Sequence, residues 1–599
     1  MTTALDERSG YNRFLLLVAG LGGLLYGVDV GIIGGALPYL EATSGLNAGQ
    51  LSIIVAAVLL GSVISTLFAG LLADWVGRKP LMAISGLTFV LSIPMIALSH
   101  GYGPLFLGRL LQGISGGFIG VVVPLYLAEC LSASARGKGT GVFQWLLTLG
   151  IVSAALIGIY FSYRVEEVAR SANAAALFLF KDQAWRSIFW VSLPPGILFV
   201  TGSLFVSESP RWLFRRGKKP EALAALLRSR RPEQANRELA EMEETAGAAH
   251  AVSSSSPAAK DSLLRRKYVI PFVLACVILF CNTATGINSI IGYNTNILLE
   301  SGLADVQAHW GYVLFTLVNF CVTMVGLTLV DRKGRKFLLG LGSGGIIVSL
   351  LVTGLLFRRT EGQAVDSRSL LQSQVSGDQS LSLRFDAAEA DRLLGTSDGA
   401  NHQIDARKAS LVIIYSYGDF TGSTNVVRSD DPSAATVHVN RESCVPANRL
   451  EAYLKNPFAN LDAARTAPLR IDKAPISAIP STENGWLVAV SLYCFMAFFA
   501  LGPGVCVWLA LSELMPTRIR SNGMSIALVI NQLVSTTLAA IFLPTVGKYG
   551  YSTMFFLFAG FTVIYFVTAV FFLPETKGKT LEEIEEHFEG MRRAPSPAR

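Results

Sequence analysis

Twelve long apolar segments recur along this chain of 599 residues, and they limit its possible folds more than any other feature. A helix that crosses a bilayer needs ~20 predominantly apolar residues. Charged residues make up 16% of the chain, whereas a typical soluble domain has about 25%. The pattern predicts an all-α membrane protein. The predicted transmembrane helices are 14–40, 51–73, 80–99, 104–129, 139–162, 185–206, 268–299, 309–330, 336–357, 485–511, 522–545 and 551–573.

Lysine and arginine residues lie on alternate short connections between these helices, and 207–267 joins the same side with a further set that begins at Arg211. The positive-inside rule then places both termini and 207–267 in the cytoplasm, and the polar stretch 358–484 outside. The net charge of +7 therefore reports topology and indicates no nucleic-acid partner. The predicted domains are a first six-helix bundle (1–206), a linker (207–267), helices seven to nine (268–357), an insert (358–484), helices ten to twelve (485–573) and a tail (574–599).

The first helix carries one charge, Asp29, within the apolar segment 18–40. A carboxylate at this depth is costly and rarely faces lipid. Glycines at every fourth position form a small-residue stripe roughly opposite Asp29, which allows a neighbouring helix to approach closely. These glycines are Gly23, Gly27, Gly31 and Gly35. We therefore expect a central helix whose carboxylate either binds a proton on a transport path or only locks packing.

The two groups of six helices carry the same charged residues at similar places. In the first group Asp74 is followed by Glu129 and, seven residues later, by Arg136. The matching residues of the second group are Asp331, Glu513 and Arg520. The second group is longer by about the length of 358–484, which is therefore predicted to be an insert between helices nine and ten. Internal repeats of this kind indicate a secondary transporter with its site between the halves.

The two long polar stretches differ in character. In 207–267, charged and apolar residues at helical spacing predict short amphipathic helices on the cytoplasmic surface, and KTLEEIEEHFEG predicts another in the tail. In the insert, ASLVIIYSY and AATVHV predict strands, whereas DRLLG and RLEAYLKN predict helices. These patterns leave open a small α+β domain or a disordered loop, and we expect the insert to act as a spacer.

Six motifs together resemble the sugar porter family of the major facilitator superfamily. They are GLLADWVGRK after helix two, PLYLAE and ARGKG around helices four and five, SESPRWL after helix six, TGINSIIGYN in helix seven, VDRKGRK after helix eight and PETKGKTLEEI after helix twelve. The resemblance covers nearly the whole chain outside the insert. It implies the major facilitator fold, in which two six-helix bundles rock around a central site.

By this resemblance, Asp29 occupies the position where proton-coupled symporters of the family carry aspartate, and Arg109 in helix four is its expected partner. Gly113 and Gly117 follow Arg109 and allow a neighbouring backbone to approach. An Asp–Arg pair near ~4 Å is worth ~4 kcal/mol at an effective dielectric of 20, before desolvation. Because arginine stays charged, protonation of Asp29 would release Arg109. A permanent structural salt bridge is the alternative.

The resemblance also implies a cytoplasmic gate of ion pairs that form when the inner ends of the bundles meet. Exposed pairs are individually worth ~0–1 kcal/mol, but several that break together can set a conformational equilibrium. Trp75 departs from the family, which usually has arginine there, so we expect a weaker first copy of the gate. The implied gate residues are Asp74, Arg78, Glu129, Arg136, Glu208, Asp331, Arg335, Glu513, Arg520 and Glu575.

Sugar recognition needs neutral groups that bond hydroxyls and an aromatic face for the ring. The motifs imply these contacts at Gln144, Asn282, Thr283, Asn288, Tyr293, Asn319, Trp508 and Asn531. Asn282 and Thr283 replace the usual pair of glutamines, Gly292 replaces the first of two tyrosines, and Gln532 stands where proton symporters often have tryptophan. We therefore expect a wider or wetter pocket and a ligand other than glucose or xylose. Any one of these residues could instead only bridge helices.

The sequence thus predicts a proton-coupled symporter of a monosaccharide or polyol that acts as a monomer in the lipid bilayer of a cell membrane, with a bacterial inner membrane favoured. A facilitative uniporter, a non-transporting sugar sensor and a channel are the alternatives. The sequence has no Gly-rich phosphate loop, zinc-ligand spacing or nucleophile elbow. We therefore expect no enzyme activity, no metal, and no cofactor besides the coupling proton.

Overall fold

The computed structural model describes residues 9–131, 133–171, 173–255, 265–395, 404–430, 436–516, 519–575 and 588. Within these ranges, twelve stretches of helix are long and apolar enough to cross a membrane, as predicted. We call them spans 1 to 12. Their helices are Ser9–Thr43, Ala48–Val76, Arg78–Ala97, Tyr102–Cys130, Ala133–Ser171, Ala174–Trp190 with Leu193–Phe205, Arg266–Ala284 with Ile287–Gly292 and Asn294–Glu300, Asp305–Lys333, Arg335–Glu361, Thr482–Leu501 with Pro503–Leu514, Arg520–Tyr549, and Tyr551–Val567 with Thr568–Phe572.

Spans 5 and 6 are longer than predicted. Span 5 ends at Ser171 and span 6 begins at Ala174, whereas the sequence predicts a break from 163 to 184. The added turns are amphipathic, and their charges are satisfied within the helix, as where Arg186 Nε lies 2.9 Å from Asp182 Oδ2. Apolar character alone does not detect such turns. The predicted end of span 5 and the predicted start of span 6 therefore lie at the limits of their apolar segments.

Spans 7 and 10 are broken helices. Span 7 breaks at Gly286, whose φ of +84° lies in the left-handed region that favours glycine, and again at Tyr293. Span 10 breaks before Pro503, because proline has no backbone N–H to donate the next intrahelical hydrogen bond. Broken spans occur beside the binding sites of secondary transporters.

The glycine stripe of span 1 packs directly on span 5. A Cβ atom at Gly27 would lie 1.9 Å from the carbonyl oxygen of Leu147, and one at Gly35 would lie 3.0 Å from the Cα of Gly158. The predicted close approach to a neighbouring helix is therefore confirmed, and span 5 is the neighbour.

Spans 1 to 6 form the N half and spans 7 to 12 form the C half. Across the interface between the halves, span 2 packs on span 11 and span 5 packs on span 8.

The linker between the halves contains three helices, Pro210–Arg215, Lys219–Ser229 and Pro232–Ser255, where short amphipathic helices were predicted. The indole N–H of Trp212 donates to the carbonyl oxygen of Asp74 at 2.8 Å, so the linker lies against the connection after span 2. This side of the membrane is called the linker side below. The helix predicted in the tail lies outside the described residues, apart from Phe588.

The chain between spans 9 and 10 folds as a small α+β unit. Its antiparallel strands form sheets in the orders β1-β9-β3-β6, β2-β7 and β5-β4-β8. The strands are β1 (Val365–Asp366), β2 (Leu381–Leu383), β3 (Ala409–Leu411), β4 (Ile414–Tyr417), β5 (Phe420–Ser423), β6 (Val427–Arg428), β7 (Val437–Val439), β8 (Leu469–Lys473) and β9 (Pro475–Ala478). The helices are Arg368–Ser373, Ala387–Gly395, Arg449–Lys455 and Leu461–Ala464, with 3-10 turns at Ala406–Lys408 and Arg441–Ser443. Strands and helices occur where the insert sequence predicts them.

The insert has its own apolar core and also contacts both halves. Its buried residues include Phe385, Tyr415 and Ile476. The Asn425 amide donates to the carbonyl oxygen of Leu46 in the N half at 3.0 Å. Arg428 Nη1 donates to the carbonyl oxygen of residue 299, at the end of span 7 in the C half, at 3.1 Å. This side of the membrane is called the insert side below.

Candidate functional site

Asp29 lies in span 1 with 1% of its surface exposed. Neither of its carboxylate oxygens has a hydrogen-bond partner. The side chain points to span 4, because a Cβ atom at Gly116 would lie 2.7 Å from Asp29 Oδ2. Gly116 therefore makes the space that the carboxyl group occupies. The glycine at this position was not singled out in the sequence, although it belongs to the GISGG run that follows Arg109.

Arg109 is also buried, with 1% of its surface exposed. Its Nη1 donates to Gln112 Oε1 at 2.5 Å, its guanidinium lies 5.5 Å from the ring centroid of Phe189, and its Nε has no partner. Among the described residues, no hydrogen bond or ion pair joins Arg109 to Asp29. The structure therefore places the two groups of the predicted pair inside one half, each buried and not bonded to the other.

Three of the predicted sugar contacts lie buried within the C half. The Asn531 amide donates to the carbonyl oxygen of Leu279 at 2.9 Å, and the Thr283 hydroxyl donates to the carbonyl oxygen of Asn531 at 3.2 Å. Asn282 Oδ1 accepts from the Tyr565 hydroxyl at 3.4 Å. In this conformation, these side chains tie spans 7, 11 and 12 together.

Three other predicted sugar contacts, Gln144, Asn288 and Asn319, have partly accessible side chains. Asn288 donates to Ser535 Oγ at 2.6 Å, Asn319 Oδ1 accepts from the Thr323 hydroxyl at 3.3 Å, and Gln144 is half-buried in span 5. Accessible amides of this kind can reach a hydroxyl-rich ligand between the halves.

The Tyr293 hydroxyl group lies between the two halves, 3.0 Å from the carbonyl oxygen of Ala539 and 3.2 Å from Ser52 Oγ. It therefore joins the C half to span 2 of the N half. The side chain of Trp508 lies outside the described residues.

Arg78 is the centre of the charged cluster on the linker side. It is 1% exposed; its Nη2 lies 2.8 Å from Asp74 Oδ1 and donates to Glu129 Oε1 at 3.0 Å. Nη1 donates to the carbonyl oxygen of Ala73 at 2.9 Å. All of these groups belong to the N half, so these described pairs form within one bundle and not across the two.

Two glutamates make matching contacts in the two halves. Glu208 accepts from the N–H groups of Arg78 and Lys79 at the start of span 3, at 3.1 and 3.2 Å. Glu575 accepts from the first two N–H groups of span 9, at 3.1 and 3.2 Å. Burial raises the pKa of Glu208, and the N–H donors lower it in part. Each carboxylate satisfies unpaired donors at the positive end of a helix.

The side chains of four predicted gate residues lie outside the described part of the chain. These residues are Arg136, Asp331, Glu513 and Arg520. Their roles remain predictions.

The sequence reading missed a polar network that joins the halves on the insert side. Asp305 Oδ2 accepts from the Tyr39 hydroxyl at 2.8 Å and from the Ser162 hydroxyl at 2.7 Å. The Tyr312 hydroxyl donates to the carbonyl oxygen of Gly31 at 2.8 Å. The available signal in the sequence was Asp305 followed by His309 four residues later, at the start of an apolar span. These contacts close the insert side of the interface between the halves.

A groove of about 650 Å³ lies between spans 9, 10 and 12 and is lined by apolar residues such as Phe337 and Phe566. It faces away from the interface between the halves, so it is not the predicted substrate site. Within the described ranges, no group of three or more His, Cys, Asp and Glu side chains is placed to hold a metal ion.

Two six-span halves, repeated charged motifs and broken spans at the interface define a polytopic membrane transporter. The family model described as "Sugar (and other) transporter" matches residues 15–370 and 473–588. The chain therefore belongs to the sugar transporter family. This match confirms the resemblance that the motifs carry, and it places the chain among transport proteins and not enzymes.

Curated relatives match over nearly the whole chain. The glucose transporter GlcP of Staphylococcus epidermidis is 25% identical over 580 residues, which cover 96% of this chain and 97% of that protein. The human proton myo-inositol cotransporter is 26% identical over 602 residues, which cover 98% of this chain and 83% of that protein.

Among solved structures, the inward-open xylose transporter XylE of E. coli matches with a TM-score of 0.61 and 19% identity, over 96% of this chain and 98% of that one. This likeness confirms the predicted major facilitator fold.

Proposed function

We propose that this protein is a proton-coupled symporter of a monosaccharide or polyol that works by alternating access, with Asp29 as the coupling group. The observation that carries the proposal is the buried, unbonded carboxyl group of Asp29. An isolated ionised carboxylate is very costly to bury, so the neutral acid is favoured at such a place. A carboxyl group held in this way gains or loses a proton when its surroundings change.

Arg109 is the proposed partner of Asp29 in its deprotonated state. It lies in the same half, one guanidinium nitrogen has no partner, and it remains charged throughout the cycle. When Asp29 loses its proton, the two side chains attract each other in a medium of low dielectric. We infer that the pair forms in the deprotonated state and separates in the protonated state, so that Arg109 alternates between Asp29 and Gln112.

Substrate recognition is proposed at the interface between the halves. Gln144 and Asn319 are partly accessible amides in spans 5 and 8, which pack against each other across this interface. Asn288 lies in the broken span 7, and Trp508 follows the break of span 10. Neutral amides of this kind can bond sugar hydroxyls without fixing a charge.

The relatives support this substrate class and the coupling ion. A human relative is named as a proton myo-inositol cotransporter, and two relatives from Arabidopsis thaliana are named as a probable inositol transporter and a polyol transporter. We extend a hydroxyl-rich, uncharged solute and proton coupling from these names to this chain. The replacement of two glutamines by Asn282 and Thr283, whose side chains bond within the C half, favours a ligand bulkier than a pentose.

We further propose a monomer in a cell membrane with both termini and the linker in the cytoplasm. The linker carries 13 Lys and Arg residues in 61 positions, a higher density than the 14 in the 127 positions of the insert, which favours the cytoplasmic side for the linker. The insert then lies outside, and the network at Tyr39, Ser162 and Asp305 closes the outer side of the interface. The conformation described here is therefore outward-closed, and the gate on the linker side controls access to the cytoplasm.

Uptake in proteoliposomes tests the proposal. Labelled hexoses, pentoses and inositols are offered with and without an inward proton gradient. We expect one solute class to accumulate above its external concentration only with the gradient, and a protonophore to abolish the accumulation. Uptake that equilibrates at the same rate and level with and without the gradient would make the protein a uniporter. No uptake of any solute in the panel would contradict transport of sugars and polyols.

A further inference from the structure

His309 lies in span 8, on the insert side, and is completely buried. Its Nδ1 lies 2.9 Å from the carbonyl oxygen of Asp305, one turn earlier in the same span. Its Nε2 lies 3.2 Å from the carbonyl oxygen of Gly35 in span 1, which belongs to the other half. Both ring nitrogens therefore face oxygen atoms that can only accept hydrogen bonds.

A neutral imidazole has one donor nitrogen and one acceptor nitrogen. In the neutral form, whichever tautomer is present, one nitrogen lone pair of His309 would face a buried carbonyl oxygen with no proton between them. Only the doubly protonated ring satisfies both contacts. Buried polar groups are almost always hydrogen-bonded, so the positions of the two carbonyl groups indicate an imidazolium.

The charge of that imidazolium is balanced by a carboxylate. Asp305 Oδ1 lies 3.4 Å from His309 Nδ1. The other oxygen, Oδ2, accepts from Tyr39 in span 1 and from Ser162 in span 5. Three spans from the two halves thus meet around one pair of opposite charges, in which the imidazole is buried and the carboxylate is one-third exposed.

The titratable groups that face His309 are few among the described residues. Asp305 comes from its own span, and Tyr39 comes from span 1, with its ring stacked on the imidazole at 5.5 Å. Span 5 contributes no charge here: it presents the Ser162 hydroxyl, and Gly158 packs against the imidazole edge. Within the described ranges, no second cation pairs with Asp305, so His309 is the group that balances its charge.

We propose that His309 is a second proton-binding site, filled when the insert side of the transporter is closed. The site is distinct from Asp29, which lies in the N half beside span 4. It does not depend on which solute is carried, nor on coupling through Asp29. A histidine in water loses its second proton near pH ~6.5, and the closed interface supplies partners that hold it.

Opening of the insert side separates span 8 from spans 1 and 5. The imidazolium then loses the carbonyl oxygen of Gly35, the carboxylate loses two hydroxyl donors, and water reaches the imidazole, which is buried in the closed form. The proton returns to the insert-side solution when the pH there is above that of free histidine. Because closure takes up this proton, the ratio of closed to open molecules falls by up to about tenfold per pH unit in that range.

Nitrogen NMR of the full-length protein, labelled at the histidine imidazole nitrogens, tests the protonation state directly. The chain has six histidines, and the signals that disappear in His309→Gln identify this residue. In lipid at pH 7.5, we expect two protonated nitrogens at His309, whereas exposed histidines are neutral. One bare nitrogen at His309 under the same conditions would overturn the proposal.

A distance measurement between spin labels on the insert-side ends of spans 1 and 8 tests the consequence. Between pH 6 and 8, wild type should lose at least tenfold in the closed-to-open ratio, and His309→Gln should show a flat profile. Tyr312→Phe is the matched control, because it removes an uncharged bond between the same halves. It should lower closure equally at every pH and keep the wild-type slope.

Asp305→Asn provides a second variant in case His309→Gln does not fold. It keeps an acceptor for Tyr39 and Ser162 but removes the counter-charge, so the pH slope should again flatten. A wild-type slope in either folded variant would overturn the proposal, as would a slope lost equally in Tyr312→Phe.

Discussion

Arg78 and Glu129 form a buried pair within the N half: Arg78 Nη2 donates to Glu129 Oε1 at 3.0 Å, and Arg78 Nε lies 2.9 Å from Glu129 Oε2. Glu129 is 6% exposed and also accepts from Ser209 of the linker. The pair therefore ties the connection after span 2 to the end of span 4 and to the linker. It is part of the fold of one bundle, whatever its role in gating.

Arg78→Gln should destabilise the protein markedly. It leaves the Glu129 carboxylate buried without its partner, which typically costs ~3–5 kcal/mol. Thermal unfolding of the purified protein, followed by intrinsic fluorescence, measures the effect. Arg215→Gln is the matched control, because Arg215 is exposed and 4.0 Å from Asp74; it should change stability by less than ~0.5 kcal/mol. Equal shifts in the two variants would show that burial of the pair is unimportant.

Gly27→Ala should disrupt the contact between spans 1 and 5. The added Cβ would lie 1.9 Å from the backbone oxygen of Leu147, so the helices must move apart, at a cost of ~1–3 kcal/mol or more. Yield of folded protein and its unfolding temperature report the change. Gly70→Ala in span 2, where nothing lies within 4 Å of the new atom, should be neutral or slightly stabilising. A neutral Gly27→Ala would contradict the close packing described here.

Glu300 lies on the insert side, eight residues after the membrane-crossing stretch Tyr268–Gly292, and should make stability depend on pH. Burial raises its pKa to about 7, against the attraction of Arg428, and nearby Asp430 adds to the rise. The neutral acid is thus favoured in the folded state: its stabilisation is complete below the unfolded pKa of ~4.5 and is lost as pH rises through about 7.

Glu300→Gln, which is neutral at every pH, separates this effect from other titrations. The unfolding free energy of the variant minus that of wild type should increase between pH 5 and 8, by at most roughly 3 kcal/mol. Denaturation at a series of pH values measures the difference. A difference that does not change with pH would show that Glu300 titrates normally.

Sequence patterns were sufficient to predict the features that recur along the chain. Apolar length predicted all twelve spans, the four-residue glycine spacing predicted the close packing of span 1, and the run ASLVIIYSY predicted strands such as β4. Span 6 began earlier than predicted because its first turns are amphipathic, and their charges pair locally, as at Asp182 and Arg186. The mean hydropathy of a segment does not show whether its charged side chains pair with each other.

Contacts between distant segments could not be predicted from the sequence. Arg109 was expected to pair with Asp29, but it bonds Gln112 on its own helix, because a neighbour one turn away is within reach whatever the conformation. The network around Asp305 depends on which ends of spans 1, 5 and 8 meet. That meeting is a property of one conformational state, and no spacing within a single helix encodes it.

The most direct test of the central claim compares Asp29→Asn with wild type in proteoliposomes, for both gradient-driven accumulation and equilibrium exchange of the same solute. Asp391→Asn, an exposed change in the insert, serves as the matched control. If Asp29 couples the proton, the variant loses accumulation by at least tenfold but retains exchange, and the control accumulates normally. Accumulation by Asp29→Asn at the wild-type level under a proton gradient would contradict the account.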